Sequence, residues 1–183
     1  MDIKKGKNYP FFKRKEGLMR IVHKYGGSSV ATTEKIMNIA RYLGKVKDEG
    51  NEVIVVVSAM GKTTDALIRL ASEITRDPDK REMDRLMSTG EQQTIALLSI
   101  ALHSLGYDAI SLTGRQAGIR TGGHHTKNRI ESIDSENINR YLDSGKIVII
   151  AGFQGINEKG DVATLGRGGS DTSAVALASA LEA

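Results

Sequence analysis

Two hydrophobic periods alternate along this chain. Arg20-Ile21-Val22-His23-Lys24-Tyr25 predicts a strand that runs into the turn Gly26-Gly27-Ser28-Ser29. Behind it, Ile36, Ile39, Ala40, Leu43 and Val46 recur at spacings of 3, 1, 3 and 3, one face of a helix, and Gly50 ends the pattern. Residues 53–58 form a continuous β-branched run, the mark of a strand buried on both faces of a parallel sheet. After Ala59-Met60-Gly61-Lys62-Thr63-Thr64 a second helix follows, carried by Leu67, Leu70, Ala71 and Ile74, and Asp77-Pro78-Asp79 breaks it. Two helical stretches are expected next, 82–87 and 91–105, divided by Ser88-Thr89-Gly90; the second is apolar almost all round and so buried. Residues 108–113 read as a third strand, 114–123 as a glycine-punctuated loop, 129–133 as a short edge strand and 136–142 as a short helix. The fully apolar run 146–153 reads as a fourth strand, after which the sheet ends on an unpaired edge. A turn at 157–161 and a final helix through Ala174-Val175-Ala176-Leu177-Ala178 close the pattern. Residues 1–19 have no period and are expected to form a disordered basic arm, with Met19 as the alternative start of translation.

Strands alternating with helices predict an α/β fold: a mainly parallel sheet with helices on both faces. Ligands of such sheets sit beyond the carboxyl ends of the strands. Three glycine loops fall at those ends, 26–29, 61–64 and 166–171. The last lies within Thr164-Leu165-Gly166-Arg167-Gly168-Gly169-Ser170-Asp171, where free amides, a guanidinium and a helix N-terminus would meet an anion together. The plainer reading is a tight turn with Ser170 as N-cap.

Composition narrows the chemistry. The 183 residues suit one domain. They include no cysteine, which removes disulfides, thiolate zinc sites and cysteine nucleophiles, and suits a reducing cytosol. The formal charge of +4 is concentrated at one end: residues 1–20 hold seven Lys/Arg against Asp2 and Glu16, net +5, leaving 19 basic against 20 acidic residues, net −1. A near-neutral body argues against nucleic acid as a partner, and no run of about 18 apolar residues exists to span a membrane. A Walker A loop fails, because Val56 stands where its first glycine belongs; Gly26-Gly27-Ser28-Ser29 lacks the dinucleotide spacing. What remains is a set of anion handles, each with a structural alternative. Lys24 either reaches over the glycines or is a solvated edge lysine. Glu91, three after Ser88, is a site carboxylate or half of a capping box. Thr63 and Thr64 are ligands or caps, and Asp171 a site group or a helix-dipole partner. His124-His125 lie in a polar loop with no third ligand at metal spacing, and His23 and His103 receive no role.

Six segments then match one family in order: Lys24-Tyr25-Gly26-Gly27-Ser28-Ser29-Val30, Val57-Ser58-Ala59-Met60-Gly61, Ser88-Thr89-Gly90-Glu91, Ser111-Leu112-Thr113-Gly114-x-Gln116-Ala117-Gly118, Ala151-Gly152-Phe153-Gln154-Gly155 and residues 164–171. Over about residues 20–182 the chain resembles aspartate kinase, nearest the monofunctional bacterial type of lysine, threonine and methionine biosynthesis. The resemblance implies an amino-acid kinase (carbamate kinase-like) fold and transfer of the γ-phosphoryl group of ATP to the β-carboxylate of L-aspartate, with Mg²⁺. It implies Lys24 and Asp171 as catalytic groups, Lys24 neutralising the transferring phosphoryl and Asp171 organising the lysine and metal end. Gly26, Gly27 and Ser28 would donate amides to ATP phosphates. Ser58, Thr64 and Glu91 would hold aspartate, Glu91 at its α-ammonium; Arg167 would take a substrate carboxylate, with Gly168 and Ser170 beside it. No protein ligand to metal is assigned. Family members continue past the last helix with strands for adenine and ribose and with regulatory domains, so residues 20–183 are expected to be the N-terminal lobe of a catalytic domain. A homo-oligomer or a complementing C-terminal chain is the expected partner. The alternatives are an inactive aspartate-binding lobe and an amino-acid kinase for glutamate or acetylglutamate, the latter disfavoured by the 88–91 and 166–171 motifs.

Overall fold

The computed structural model describes residues 19–166 and 168–183; most of the basic arm, and Arg167, lie outside the described residues. In chain order the elements are β1 Arg20–Tyr25, α1 Thr33–Asp48, β2 Glu52–Val57, α2 Thr63–Ile74, α3 Lys80–Ser104, β3 Ala109–Leu112, β4 Ile119–His124, β5 Lys127–Ile133, α4 Glu136–Asp143, β6 Ile147–Ala151, β7 Gln154–Ile156, β8 Val162–Thr164 and α5 Gly169–Ala180. Four parallel strands form the main sheet in the order β1-β2-β6-β3. A second sheet, β5-β4-β7-β8, is built from two antiparallel hairpins joined by a parallel β4–β7 pair.

Strand parity divides the core. Val53, Val55, Val57, Ile147 and Ile149 pack with α1 and α3, while Ile54, Val56, Val148 and Ile150 pack with α4 and α5. Successive side chains of a strand point to opposite faces, so a strand covered on both must be apolar at every position. That is why residues 53–57 and 147–151 are all fully buried. It also overturns the expected free edge after the 146–153 run. A strand apolar on both faces belongs in the middle, and β6 lies between β2 and β3; the edges of the main sheet are β1 and β3.

The helix break expected at Ser88-Thr89-Gly90 is absent, because α3 runs unbroken through it. Ser88 and Thr89 return their hydroxyls to the carbonyls of Arg85 and Leu86 within the helix, at 2.8 and 2.7 Å. Gly90 is required by packing instead: a Cβ there would stand 2.8 Å from Ala59 Cβ. The capping-box alternative for Glu91 falls with the break. The helix starts at Asp79, whose Oδ1 accepts from the amides of Arg81 (2.9 Å) and Glu82 (3.1 Å). The expected loop at 114–123 ends in β4, and the 129–133 strand begins at Lys127. The 157–161 turn is present, held by Asn157 Oδ1 accepting from the amides of Lys159 and Asp161, and it joins two short strands that the hydrophobic pattern did not mark. Among the described residues no helix is long and apolar enough to cross a membrane.

Candidate active site

Lys24 leaves the edge strand β1 directly before its glycine turn. Its Nζ would lie 3.4 Å from a Cβ on Gly26, so the missing side chain leaves the ammonium over the turn. Gly27 is pressed against the loop after β2. Its carbonyl accepts from Gly61 N at 3.0 Å, and a Cβ would come within 2.9 Å of Ala59 O. Ser29 and Val30 turn their amides back to the Gly26 carbonyl, at 2.9 and 3.3 Å. Among the described residues the amides of Gly27 and Ser28 form no such backbone bond. Ser58 follows β2, half-buried, and its amide bonds the Tyr25 carbonyl at 3.1 Å. Thr64 is the second residue of α2 and half-buried. Thr63 bonds the Met60 carbonyl through Oγ1 at 2.7 Å, and the α2 N-cap, Lys62, makes no side-chain cap bond.

Glu91 comes to the same place from below, two turns into the buried part of α3. As a residue it is 3 % exposed; Oε1 accepts from Ala59 N at 3.0 Å, while Oε2 is buried with no hydrogen-bond partner among the described residues. Burial pushes this carboxyl up from 4.5 to about 7, against the smaller opposing effect of the Ala59 amide. A buried carboxylate oxygen with no partner is costly. Ala59 is the shared neighbour that ties Glu91 to the glycine turn.

The third loop meets the first. Gly168, with φ of 75°, is the N-cap of α5, so Ser170 is the second helical residue and the plainer alternative that made it the N-cap is corrected. A non-glycine residue would be strained at that φ. Ser170 turns inward, its Oγ 2.9 Å from where a Cβ on Gly152 would sit. Asp171, next along, turns outward and its Oδ1 meets Lys24 Nζ at 2.7 Å. The two side chains are 69 % and 29 % exposed. Such a pair adds only about 0–1 kcal/mol, so an arriving anion can draw the ammonium away at small cost.

The structure also assembles a group the sequence reading passed over. Asp84, on α3 and fully buried, accepts from His125 Nδ1 at 2.6 Å, from the Thr126 amide at 3.0 and 3.2 Å, and from Thr164 Oγ1. His125 is thus a partner of Asp84. Among the described residues no group of three or more His, Cys, Asp or Glu is placed to hold a metal. A cavity of about 960 Å³ is lined by Arg20, Arg115, Arg120 and Arg140 among others, but by none of the candidate residues. The chemistry is therefore read from the strand-end loops, where cation, amides and carboxylates meet.

A parallel sheet carrying three glycine loops, a lysine and a buried glutamate at its strand ends defines the class. Residues 19–183 match the model of the amino acid kinase family, and the chain belongs to that family. The aspartokinase of Geobacillus stearothermophilus is 58 % identical over 163 residues, covering 89 % of this chain and 40 % of its own. The solved aspartate kinase of Synechocystis superposes with a TM-score of 0.74 at 49 % identity, over 91 % of this chain and 27 % of that one. Escherichia coli aspartokinase III, solved with aspartate and ADP, shares the fold at a TM-score of 0.79 and 24 % identity, over 90 % of this chain and 47 % of that one. The chain spans about two fifths of the length of the curated relatives it matches.

Proposed function

We propose that this chain is the amino-acid-binding N-terminal lobe of an aspartate kinase. The observation that carries the reading is the buried, half-satisfied carboxylate of Glu91 beside a lysine-and-amide cradle: a cation handle and an anion handle at one strand end. In this reading Glu91 Oε2 takes the α-ammonium of L-aspartate, with Ser58 and Thr64 beside it, and Arg167, Gly168 and Ser170 take the substrate carboxylate. Lys24 and the amides of Gly26, Gly27 and Ser28 receive the phosphates of ATP. A β-carboxylate oxygen attacks the γ-phosphorus, the bond to the β-phosphate oxygen breaks, and ADP leaves with the electron pair. The nucleophile is already ionised at neutral pH, so no general base is needed. Positioning and neutralisation of spread negative charge supply the rate. Mg²⁺ on the ATP phosphates would add further neutralisation, with Asp171 as the carboxylate at that end; one carboxylate plus phosphates is a usual magnesium environment. The 58 % identity to an aspartokinase supports the substrate choice, and with it a place in lysine, threonine and methionine synthesis.

A second reading is an aspartate-binding lobe that turns over only with a complementing chain. Exchanging residues 19–183 into the Geobacillus aspartokinase, in place of the matching segment, tests phosphoryl transfer directly. Aspartate-dependent ADP release that falls about 100-fold or more in Lys24→Ala is expected. A folded chimera without aspartate-dependent turnover would contradict the assignment.

A further inference from the structure

The cavity of about 960 Å³ that shares no residue with the candidate active site is rich in charge. Guanidiniums from four parts of the fold line it: Arg20 of β1, Arg115 of the turn after β3, Arg120 of β4 and Arg140 of α4. Two of them are held in place. Arg20 donates to Glu52 Oε2 at 2.7 Å and to the Leu181 carbonyl at 3.1 Å, and its side chain is only 13 % exposed. Arg140 donates to Asn137 Oδ1 at 2.5 Å and lies over the Tyr141 ring, 5.2 Å from its centre. Arg115 and Arg120 are exposed, and among the described residues their side chains have neither an ion pair nor a hydrogen bond. The turn between them is tight. The Arg115 carbonyl accepts from Gly118 N at 3.1 Å, and Gly118, with φ of 73°, returns the chain to the start of β4, whose second residue is Arg120. The same cavity is lined by Asp134, Glu136 and Asp143, none of which pairs with these arginines among the described residues. Glu136, Asn139, Arg140 and Asp143 recur at spacings of 3, 1 and 3, one face of α4.

We propose that this cavity is a binding site for a small phosphate ester carrying hydroxyl groups, its phosphate taken by Arg115 and Arg120 and its hydroxyls by Glu136, Asn139 and Asp143. Each guanidinium is a fork of donors that matches two oxygens of an oxyanion. A carboxylate has two terminal oxygens, enough for one fork; a phosphate monoester has three and can serve both. Carboxylate and amide oxygens accept from hydroxyls. Three carboxylates in the same space work against an occupant that is anionic throughout, such as a free polyphosphate. The volume lies within the range of about 300–1,000 Å³ usual for small-molecule sites. Arg20 and Lys24 are four residues apart on β1, about 13 Å, so this site is separate from the lysine cradle at the strand ends. It stands whether or not the aspartate reading holds.

The test uses the 183-residue chain carrying Lys24→Ala, which takes the strand-end lysine out of the readout. Ribose 5-phosphate, inorganic phosphate and ribose are titrated into it calorimetrically, with melting curves alongside. Saturable binding of ribose 5-phosphate is expected, about 10-fold or more tighter than either fragment. Adding Arg115→Ala or Arg120→Ala should weaken it about 10-fold or more at an unchanged melting temperature, because neither side chain has a partner to lose. Asp143→Ala should weaken ribose 5-phosphate while leaving inorganic phosphate unaffected. No saturable binding of ribose 5-phosphate, or binding indifferent to both arginine substitutions, would overturn the inference. Equal affinity for ribose 5-phosphate and inorganic phosphate would mean an adventitious ion only and overturn it too. None of these outcomes involves Glu91, so L-aspartate binding is judged separately.

Discussion

Glu91 divides between two states near neutrality, since burial has moved its carboxyl from 4.5 to about 7. The folded chain binds this proton more tightly than the unfolded chain does. Stability therefore falls as pH rises from 4.5 and levels off above about 7, by on the order of 3 kcal/mol in total. Glu91→Gln removes that loss. The variant should melt higher than the unsubstituted chain at pH 8 and no higher at pH 4; a lower melting temperature at both would show the carboxylate to be structural. Ligand binding runs the other way, because the α-ammonium needs the ionised form. L-aspartate affinity is expected to weaken as pH falls below about 7. At this scale the sequence was legible where a residue acts beside its own loop. Lys24 could be placed from its glycine turn, whereas Asp84 could not. Its partners His125 and Thr164 are 41 and 80 residues away, and no local pattern announces the meeting.

The helix α3 shows how an element is misread. Ser, Thr and Gly in succession are a sound local signal for a boundary, and here tertiary packing overrides it. Gly90 lets the helix press on Ala59, which brings Glu91 to the Ala59 amide. In an exposed helix, Gly→Ala stabilises by about 1 kcal/mol. Gly90→Ala should do the reverse, destabilising by about 1–3 kcal/mol because its Cβ would overlap Ala59 Cβ. The chemical denaturation midpoint measures this; a midpoint raised by the substitution would contradict the packing described. By contrast α1 and β2 were readable from pattern alone, since their burial is decided by their own periodicity. The hairpins β4–β5 and β7–β8 were not. Their residues alternate weakly, and pairing rather than hydrophobicity defines them.

For the molecule as a whole, alternation of strand and helix was enough to predict a parallel sheet covered on both faces. The position of β6 at its centre required knowing that both faces of that strand are buried. The three glycine loops do converge at one end of this sheet, joined by the Gly27–Gly61 hydrogen bond and the Lys24–Asp171 pair. That pair is exposed, so Lys24→Ala should leave the melting temperature nearly unchanged while removing phosphoryl transfer in the chimera. A large loss of stability would instead make the pair a structural strut. The most direct measurement is calorimetric titration of L-aspartate at pH 8 into the unsubstituted chain and into Glu91→Gln. Saturable binding is expected for the former and a loss of about 30-fold or more for the latter. No binding by the unsubstituted chain, or equal affinity in both, would contradict the assignment of this strand end as an aspartate site.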